Sequence, residues 1–450
     1  MSRIGRTGVI VLVALAVFAG ACGGGDGGDS SSEGDGGSNA TSSEEIDYTA
    51  IGLWDDGPCD ESKPPLVVGT STVFESPVIS LGDLAIALEA AAVAFNERGG
   101  ANGSCIEVHT CDDGANVDQS VECTRTLDQA GIVATINDTT TAGNAEVAAA
   151  LTAAGIPRVA TNVSPSDWAA ANAFALDASS TGSTLLMPQA LLEEDIKDIG
   201  VIRADLAQAS ALKGILESLY GDDGATFPMD AAVPSGTTDF SQFILKAEGA
   251  GAEGVMLAVG EQEAIQVVNA ATQLGSSLSV SATLGTFPYA AIADLGEFAD
   301  QMVFLSSFPP ATVDLPVYEA LRADLAASGE EALQPEEVKV TSMRSWIGLY
   351  SLLRMIRDAK MTEFTREGVM TMLQQAKDVP MLDMFGGENW TPDLKHPGTF
   401  QRAGINRWGV YRWDPAAENP VGGDGNFVES ASINWDETVC GSPFGAPEPC

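Results

Sequence analysis

The chain has 450 residues, 45% of them hydrophobic, and carries 22 basic against 63 acidic side chains for a formal charge of −41 at neutral pH. That balance excludes nucleic acid and an anionic membrane face as partners, because both need a basic footprint. The apolar content is enough for two cores rather than one, and the acidity reads most simply as a solvated surface.

Arg3 and Arg6 open the chain, Val9–Ala19 is an apolar run, and Gly20-Ala21 sets small residues before Cys22. This is the layout of a secretory signal segment, and the run is shorter than the roughly 20 apolar residues that a membrane-spanning helix needs. A cysteine directly behind the small residues resembles the lipobox of bacterial lipoproteins. Residues 1–21 are therefore expected to be removed and Cys22 to be lipidated. Gly23–Glu45 consists almost wholly of Gly, Ser, Asp and Glu and cannot bury enough apolar surface to fold. Residues 22–63 are expected to form the lipidated cysteine and a flexible acidic linker. No later segment is apolar enough to span a bilayer, so the lipid would be the only anchor, on the extracytoplasmic side of the cell membrane.

Beyond Cys22 stand Cys59, Cys105, Cys111, Cys123, Cys440 and Cys450. An even set in an exported chain reads as disulfides rather than metal or redox chemistry. Cys111 ends a predicted strand and Cys123 lies in the helix after it, so Cys111–Cys123 could close locally. Cys59 and Cys105 each precede a strand and would meet if those strands are neighbours. Cys440 and Cys450 would then staple the C-terminus. No CxxC pair exists and the only histidines are His109 and His396, so neither a metal site nor a cofactor is expected.

From Pro65 onward apolar strand runs alternate with amphipathic helical runs. Strands are predicted at Leu66–Thr70, Ile106–Thr110, Ile132–Ile136, Pro157–Thr161 and Phe174–Asp177, with helices at Gly82–Arg98, Asp118–Ala130 and Ala145–Ala154 between the earlier ones. The rhythm restarts with strands at Ile199–Arg203, Asp230–Val233, Gly254–Val259, Leu278–Leu284 and Gln301–Ser306, and helices at Ala209–Tyr220, Asp239–Gly249 and Glu261–Leu274. Helices at Pro316–Ala327, Glu336–Ala359 and Thr365–Ala376 follow, and a last strand at Ile405–Trp413. Such alternation predicts βαβ units, parallel sheets and two doubly wound α/β lobes, with ligands at the C-terminal ends of their strands. Trp346, Trp390, Trp408 and Trp413 read as packing rather than a sugar-stacking set. CDDGANVD (Cys111–Asp118) lacks the spacing and terminal glutamate of a calcium loop and reads as a strand-end turn.

Four segments carry a family resemblance: Ala92–Leu127 with its Gly-Gly turn and Asp-Asp pair, Gly155–Trp168 (GIPRVATNVSPSDW), Ser235–Val259, and Trp346–Ala359 (WIGLYSLLRMIRDA). In this order the chain resembles the type I periplasmic binding proteins, specifically the branched-chain amino acid receptor group, over roughly Pro65–Trp413. The resemblance implies two Rossmann-like lobes joined by three crossovers that close on a ligand like a flytrap. Lobe one would take 64–177 plus about 307–360, lobe two 178–306 plus about 361–435, and 436–450 would be a tail.

The resemblance also implies a ligand set. The loop Asn137–Gly143 matches the family's carboxylate cradle, so Thr139, Thr140 and Thr141 would meet a ligand carboxylate beside a helix N-terminus, while Asp138 or a threonine could equally cap that helix. Asn162 and Ser164 would accept from a ligand ammonium, or form a plain turn before Pro165. Gln208 falls where the family usually places a tyrosine. The family's ammonium-binding acid falls near Gly285-Thr286 and is missing, leaving Glu261 as the substitute. The aromatic wall maps to Ser80 or Leu81, with Phe74 and Glu75 upstream. These departures leave open a small carboxylate, amide or polyol-like ligand. The function implied is capture of a small solute, an amino acid or related carboxylate or amide, by a monomer that delivers it to an ABC permease and its ATPase. The alternative is a sensor of the same fold signalling through a separate membrane partner. No GxSxG elbow, HExxH helix, Walker A loop or paired-carboxylate site points to an enzyme, so no catalytic residue is expected.

Overall fold

The computed structural model describes residues 46–442 except 77–79, 163, 165, 168–169, 288–290, 293–294, 328–332, 335–336, 396–403, 423–424 and 441, and at 207, 208 and 286 it describes the backbone alone. The first sheet holds β1 (Leu66–Thr72), β2 (Ile106–Asp112), β3 (Ala134–Ile136), β4 (Arg158–Val159) and β5 (Ala173–Phe174) in the order β2-β1-β3-β4-β5, all parallel. Both faces of β1 are covered, which is why LVVGT reads as an apolar run rather than an alternation. Leu66 and Val68 lie in the core with α1 (Gly82–Glu97), whereas Val67 packs with Leu127 and Val147, from α2 (Val117–Gln129) and α3 (Asn144–Ala153).

The second sheet holds β6 (Ile199–Ala204), β7 (Asp230–Val233), β8 (Gly254–Ala258), β9 (Ser279–Thr283), β10 (Met302–Ser306), β11 (Arg407–Asp414) and β12 (Asn426–Asn434). Its order is β12-β11-β10-β9-β8-β6-β7, parallel from β7 to β10 and antiparallel at β11 and β12. Two apolar clusters cover its faces. One includes Phe243 of α6 (Ser241–Gly249) and Val267 of α7 (Glu261–Leu274). The other joins Leu186 of α4 (Ser179–Leu192) to Leu216 of α5 (Leu212–Tyr220).

Three later helices return to the first lobe: α8 (Pro316–Ala326), α9 (Val340–Asp358) and α10 (Arg366–Gln375). Trp346, Tyr350 and Leu353 of α9, with Val369 and Leu373 of α10, share one core with β1. Gly348 lets α9 lie close to the sheet, since a Cβ there would stand 2.8 Å from the Ala160 methyl. Val379, Met381, Phe385, Trp390 and Ile405 join the same core. The sequence reading moved the chain to the second lobe at about residue 361, but it crosses only beside Ile405. That Pro/Gly/Asp-rich segment has no periodic apolar face to announce which lobe it joins. The four tryptophans Trp346, Trp390, Trp408 and Trp413 are all buried.

The expected linker is also shorter than 22–63. Leu53 and Trp54 are buried in the first core, and Trp54 stacks on Phe95 and Tyr350. Cys59 is bonded to Cys105, which ties this N-terminal strap to the lobe, and Cys111 is bonded to Cys123. Cys440 is disulfide-bonded too, while Cys450, its expected partner, lies outside the described residues. Opening Cys111–Cys123 by a Cys111→Ser, Cys123→Ala double change frees a short loop. The expected loss is about 2–3 kcal/mol, visible as a lower denaturant midpoint, with the slope unchanged or steeper because the freed unfolded chain exposes more surface.

Three connections join the lobes: 175–178 after β5, 307–315 after β10, and 404–406 before β11. The Ile405 amide donates to the Leu176 carbonyl, and the Trp390 indole donates to the Ala175 carbonyl at 3.0 Å. Asp177 is fully buried here and accepts from Arg344 Nη2 at 2.8 and 2.9 Å, from the Ser179 amide at 2.8 Å and from the Ser307 hydroxyl. Burial drives the Asp177 carboxyl up, but the charge and hydrogen bonds of Arg344, with Ser307 and the Ser179 amide, outweigh it and hold it below its ordinary value. Arg344 from α9 thus fixes two of the three connections at one point.

Candidate functional site

Strand order locates the candidate site. In the first sheet β1 lies between β2 and β3, and in the second β6 lies between β7 and β8. The loops leaving β1 and β3, and those leaving β6 and β8, therefore turn to opposite faces and open a crevice at the strand C-termini. Phe74 follows β1 and Thr139–Thr141 follow β3, while Asn162 and Ser164 follow the neighbouring β4. Gln208 lies in a 3-10 turn after β6, and Glu261 opens α7 directly after β8. The sequence candidates thus fall on the loops that border the two crevices.

Their local geometry differs from residue to residue. Thr139 and Thr140 are buried and Thr141 is exposed. The Thr139 amide donates to the Ser71 carbonyl at 3.0 Å, which draws the β3 loop against the end of β1. Gly143 precedes α3 with φ 74°, a left-handed conformation that suits glycine, and no side chain caps the helix. Asp138, one of the expected caps, does something else: it is buried and pairs with Arg158 at 2.7 Å. Phe74 is half-buried, its amide donating to Asp112 Oδ1 at 3.0 Å and its carbonyl accepting from the Ser80 hydroxyl at 2.7 Å. Asp112 and Asp113 accept amides within their own turn, and Asn116 caps α2, so CDDGANVD is a strand-end turn. The Gln208 side chain lies outside the described residues.

Arg158 fixes the loops after both β3 and β4. It is buried on β4 and reaches Asp138 in the β3 loop, Asp167 in the β4 loop, and the Thr161 hydroxyl at 3.0 Å. Thr161 in turn donates to the Asp138 carbonyl at 3.1 Å, and Thr135 donates to the Asp138 carboxylate at 2.8 Å. Burial opposes the Arg158 charge, but Asp138 and Asp167 outweigh it and raise its pKa. Ser164 is absorbed by this network: its amide and hydroxyl donate to Asp167 at 2.9 and 2.8 Å. Asn162 stands at the lobe boundary, its side-chain oxygen 3.5 Å from the Ser180 amide in the first turn of α4.

Two features escaped the sequence reading. The first is a set of buried hydroxyls at the end of β1, which joins the expected Thr140 of the β3 loop. Among the described residues Thr70, Ser71, Thr72 and Thr140 have no partner for their side-chain oxygens. A Thr-Ser-Thr run closing an apolar strand was the available signal. The second is Lys339, which directly precedes α9 and pairs with Glu261 across the lobes at 2.8 Å. Nearby, a Cβ on Gly285 would lie 3.5 Å from Val340. The two crevices therefore face each other.

A family model described as periplasmic binding protein matches residues 65–415. The chain is a type I periplasmic binding protein. Solved structures share the fold of this binding protein at low identity. A solute-binding protein of an ABC transporter from R. palustris, solved with 4-hydroxybenzoate, has 15% identity and a TM-score of 0.66, covering 82% of this chain and 97% of its own. A fatty acid ABC transporter substrate-binding protein from Thermomonospora curvata has 15% identity and a TM-score of 0.67, covering 85% and 95%. A possible leucine/isoleucine/valine-binding protein from Rhodopirellula baltica SH 1 has 17% identity and a TM-score of 0.65, covering 86% and 100%. No curated protein matches the sequence. The strap and its Cys59 lie ahead of the matched residues. No helix among the described residues is long and apolar enough to cross a membrane.

Proposed function

We propose that the protein captures a small solute, an amino acid or a related carboxylate or amide, between the facing crevices and delivers it to an ABC permease and its ATPase. The carrying observation is the group of buried hydroxyls on Thr70, Ser71, Thr72 and Thr140, without partners among the described residues. A buried polar group left unmade costs about 1–3 kcal/mol, which a ligand's acceptors at the crevice would offset. In this reading Thr139, Thr140 and Thr141, with the uncapped amides of α3, take a carboxylate. Phe74, Asn162 and Ser164 border the first-lobe side, and Gln208 and Glu261 border the second. Ligand bridging both lobes makes contacts absent from the open form, so it shifts the population toward closure. That three relatives of this fold are described with 4-hydroxybenzoate, a fatty acid or branched-chain amino acids supports a small carboxylate. The same reading has the protein act as a monomer outside the cytoplasm, held to the cell membrane by lipid on Cys22.

A thermal-shift screen of the purified protein against amino acids, amides, short carboxylates and sugars tests the proposal. A ligand present at about 100 times its dissociation constant adds about 2.7 kcal/mol and raises the melting temperature visibly. Silence across the panel from a cooperatively unfolding sample would refute small-carboxylate capture. Thr140→Val, which keeps the shape and removes the hydroxyl, is expected to weaken the ligand found by about tenfold in calorimetric titration.

A further inference from the structure

We infer that the Lys339–Glu261 pair sets the charge class of the ligand, so that the crevice takes carboxylates that carry no ammonium beside the carboxylate. The inference rests on the proposed capture of a small carboxylate and narrows it. Glu261 opens α7 at the lip of the second crevice, and its Oε2 lies 2.8 Å from Lys339 Nζ. Lys339 belongs to the first lobe: it leads into α9, whose Thr341 carbonyl accepts from the Asn137 side chain at 2.9 Å where the β3 loop begins. The pair therefore runs from one crevice to the other.

An α-amino acid brings an ammonium within a few ångströms of its carboxylate, and that ammonium needs an anion or several neutral acceptors. The described acids around the crevices are engaged or solvated, except Asp113 beside Thr72. Its Oδ1 accepts from the Ala115 amide, and its buried Oδ2 has no partner among the described residues. Burial raises its pKa and so disfavours the charged form an ammonium would need. Asp138 and Asp167 are held by Arg158, and Asp177 by Arg344. Asp83 accepts from the Thr341 and Ser342 hydroxyls. Glu75 and Asp205 are exposed, where water screens them. Glu261 is held by Lys339, and an ammonium displacing Lys339 would leave that cation nearby to repel it. The first crevice offers hydroxyls and uncapped amides, and Lys339 adds a positive charge beside them. This arrangement favours a carboxylate and disfavours a second cation.

Matched pairs that differ only in the ammonium test this directly: 4-methylpentanoate with leucine, 3-(4-hydroxyphenyl)propanoate with tyrosine, propanoate with alanine, and butanedioate with aspartate. Dissociation constants are measured by calorimetry on the purified protein. In the best-binding pair the simple acid is expected to bind at least tenfold more tightly than its amino acid. Lys339→Met, which frees Glu261, is expected to move that ratio at least tenfold toward the amino acid, whereas Glu261→Gln keeps the preference for the acid. Both side chains are partly exposed, and melting curves check that the variants fold. An amino acid that binds as tightly as its simple acid, or a ratio unmoved by Lys339→Met, overturns the inference and leaves solute capture standing. Failure of every pair to bind overturns both.

Discussion

Arg158→Met will cost about 3–5 kcal/mol of stability and abolish ligand binding together with it. The guanidinium is buried between two buried carboxylates, Asp138 and Asp167, in the loops after β3 and β4. Removing it leaves two negative charges facing each other away from water, each with its own desolvation penalty and no cation to offset it. The loops must either take up protons or open to solvent. A fall in melting temperature of about 5 °C is expected at neutral pH. Asp138→Asn in the Arg158→Met background removes one of the stranded charges and should recover part of the loss. Equal melting temperatures for wild type and Arg158→Met would show that the cluster is not load-carrying in solution.

Arg344→Met will reverse the sign of one contribution to acid stability. In the wild type the Asp177 carboxyl is held below its ordinary value of 3.8. Its contribution is therefore fully present above about pH 4 and is lost as pH falls through the lower folded value. Without Arg344, burial, the largest cause, is opposed only by the Ser307 hydroxyl and the Ser179 amide, and it raises the carboxyl. Its contribution is then present below about pH 4 and is lost as pH rises through the raised value. The variant should be about 3–5 kcal/mol less stable than wild type at pH 7, and the gap should narrow as pH approaches 4. Melting curves across that range read the effect, and Asp177→Asn added to Arg344→Met should restore stability at pH 7. A gap that stays constant with pH would refute the assignment to Asp177. The connections between the lobes meet at this carboxylate, so the variants should also change how strongly ligand closes the protein.

Periodicity resolves the elements that make their own case. Asp230–Val233 and Glu261–Leu274 form where the pattern places them, because a buried run or an amphipathic stripe is a local property. The helix Ser179–Leu192 was missed because Gly182 and Pro188 interrupt it. It exists because Gly182 admits close packing, a Cβ there standing 3.0 Å from the Trp408 ring. The strand Asn426–Asn434 was missed because its middle residues are mostly exposed, and pairing with β11 carries it instead. At the site the loops were legible from strand order and the resemblance, but the partners were not. Asp138 read as a cap because the chain cannot show that Arg158 lies beneath it. Glu261 read as a free acid because its cation comes from 78 residues away. Local chemistry names the groups, while tertiary neighbours decide which remain available.

The N-terminal strap also has a mechanical consequence. Tyr48 lies under the Arg98 guanidinium, Trp54 lies under that of Arg357, and Cys59 is bonded to Cys105, all in the first lobe. Tension arriving from upstream of Ile46 therefore enters through that lobe and is borne by an aromatic stack and a covalent bond. It does not cross the three connecting segments. The first lobe is the stator and the second the rotor, and a pull applied at Ile46 leaves the opening and closing equilibrium untouched.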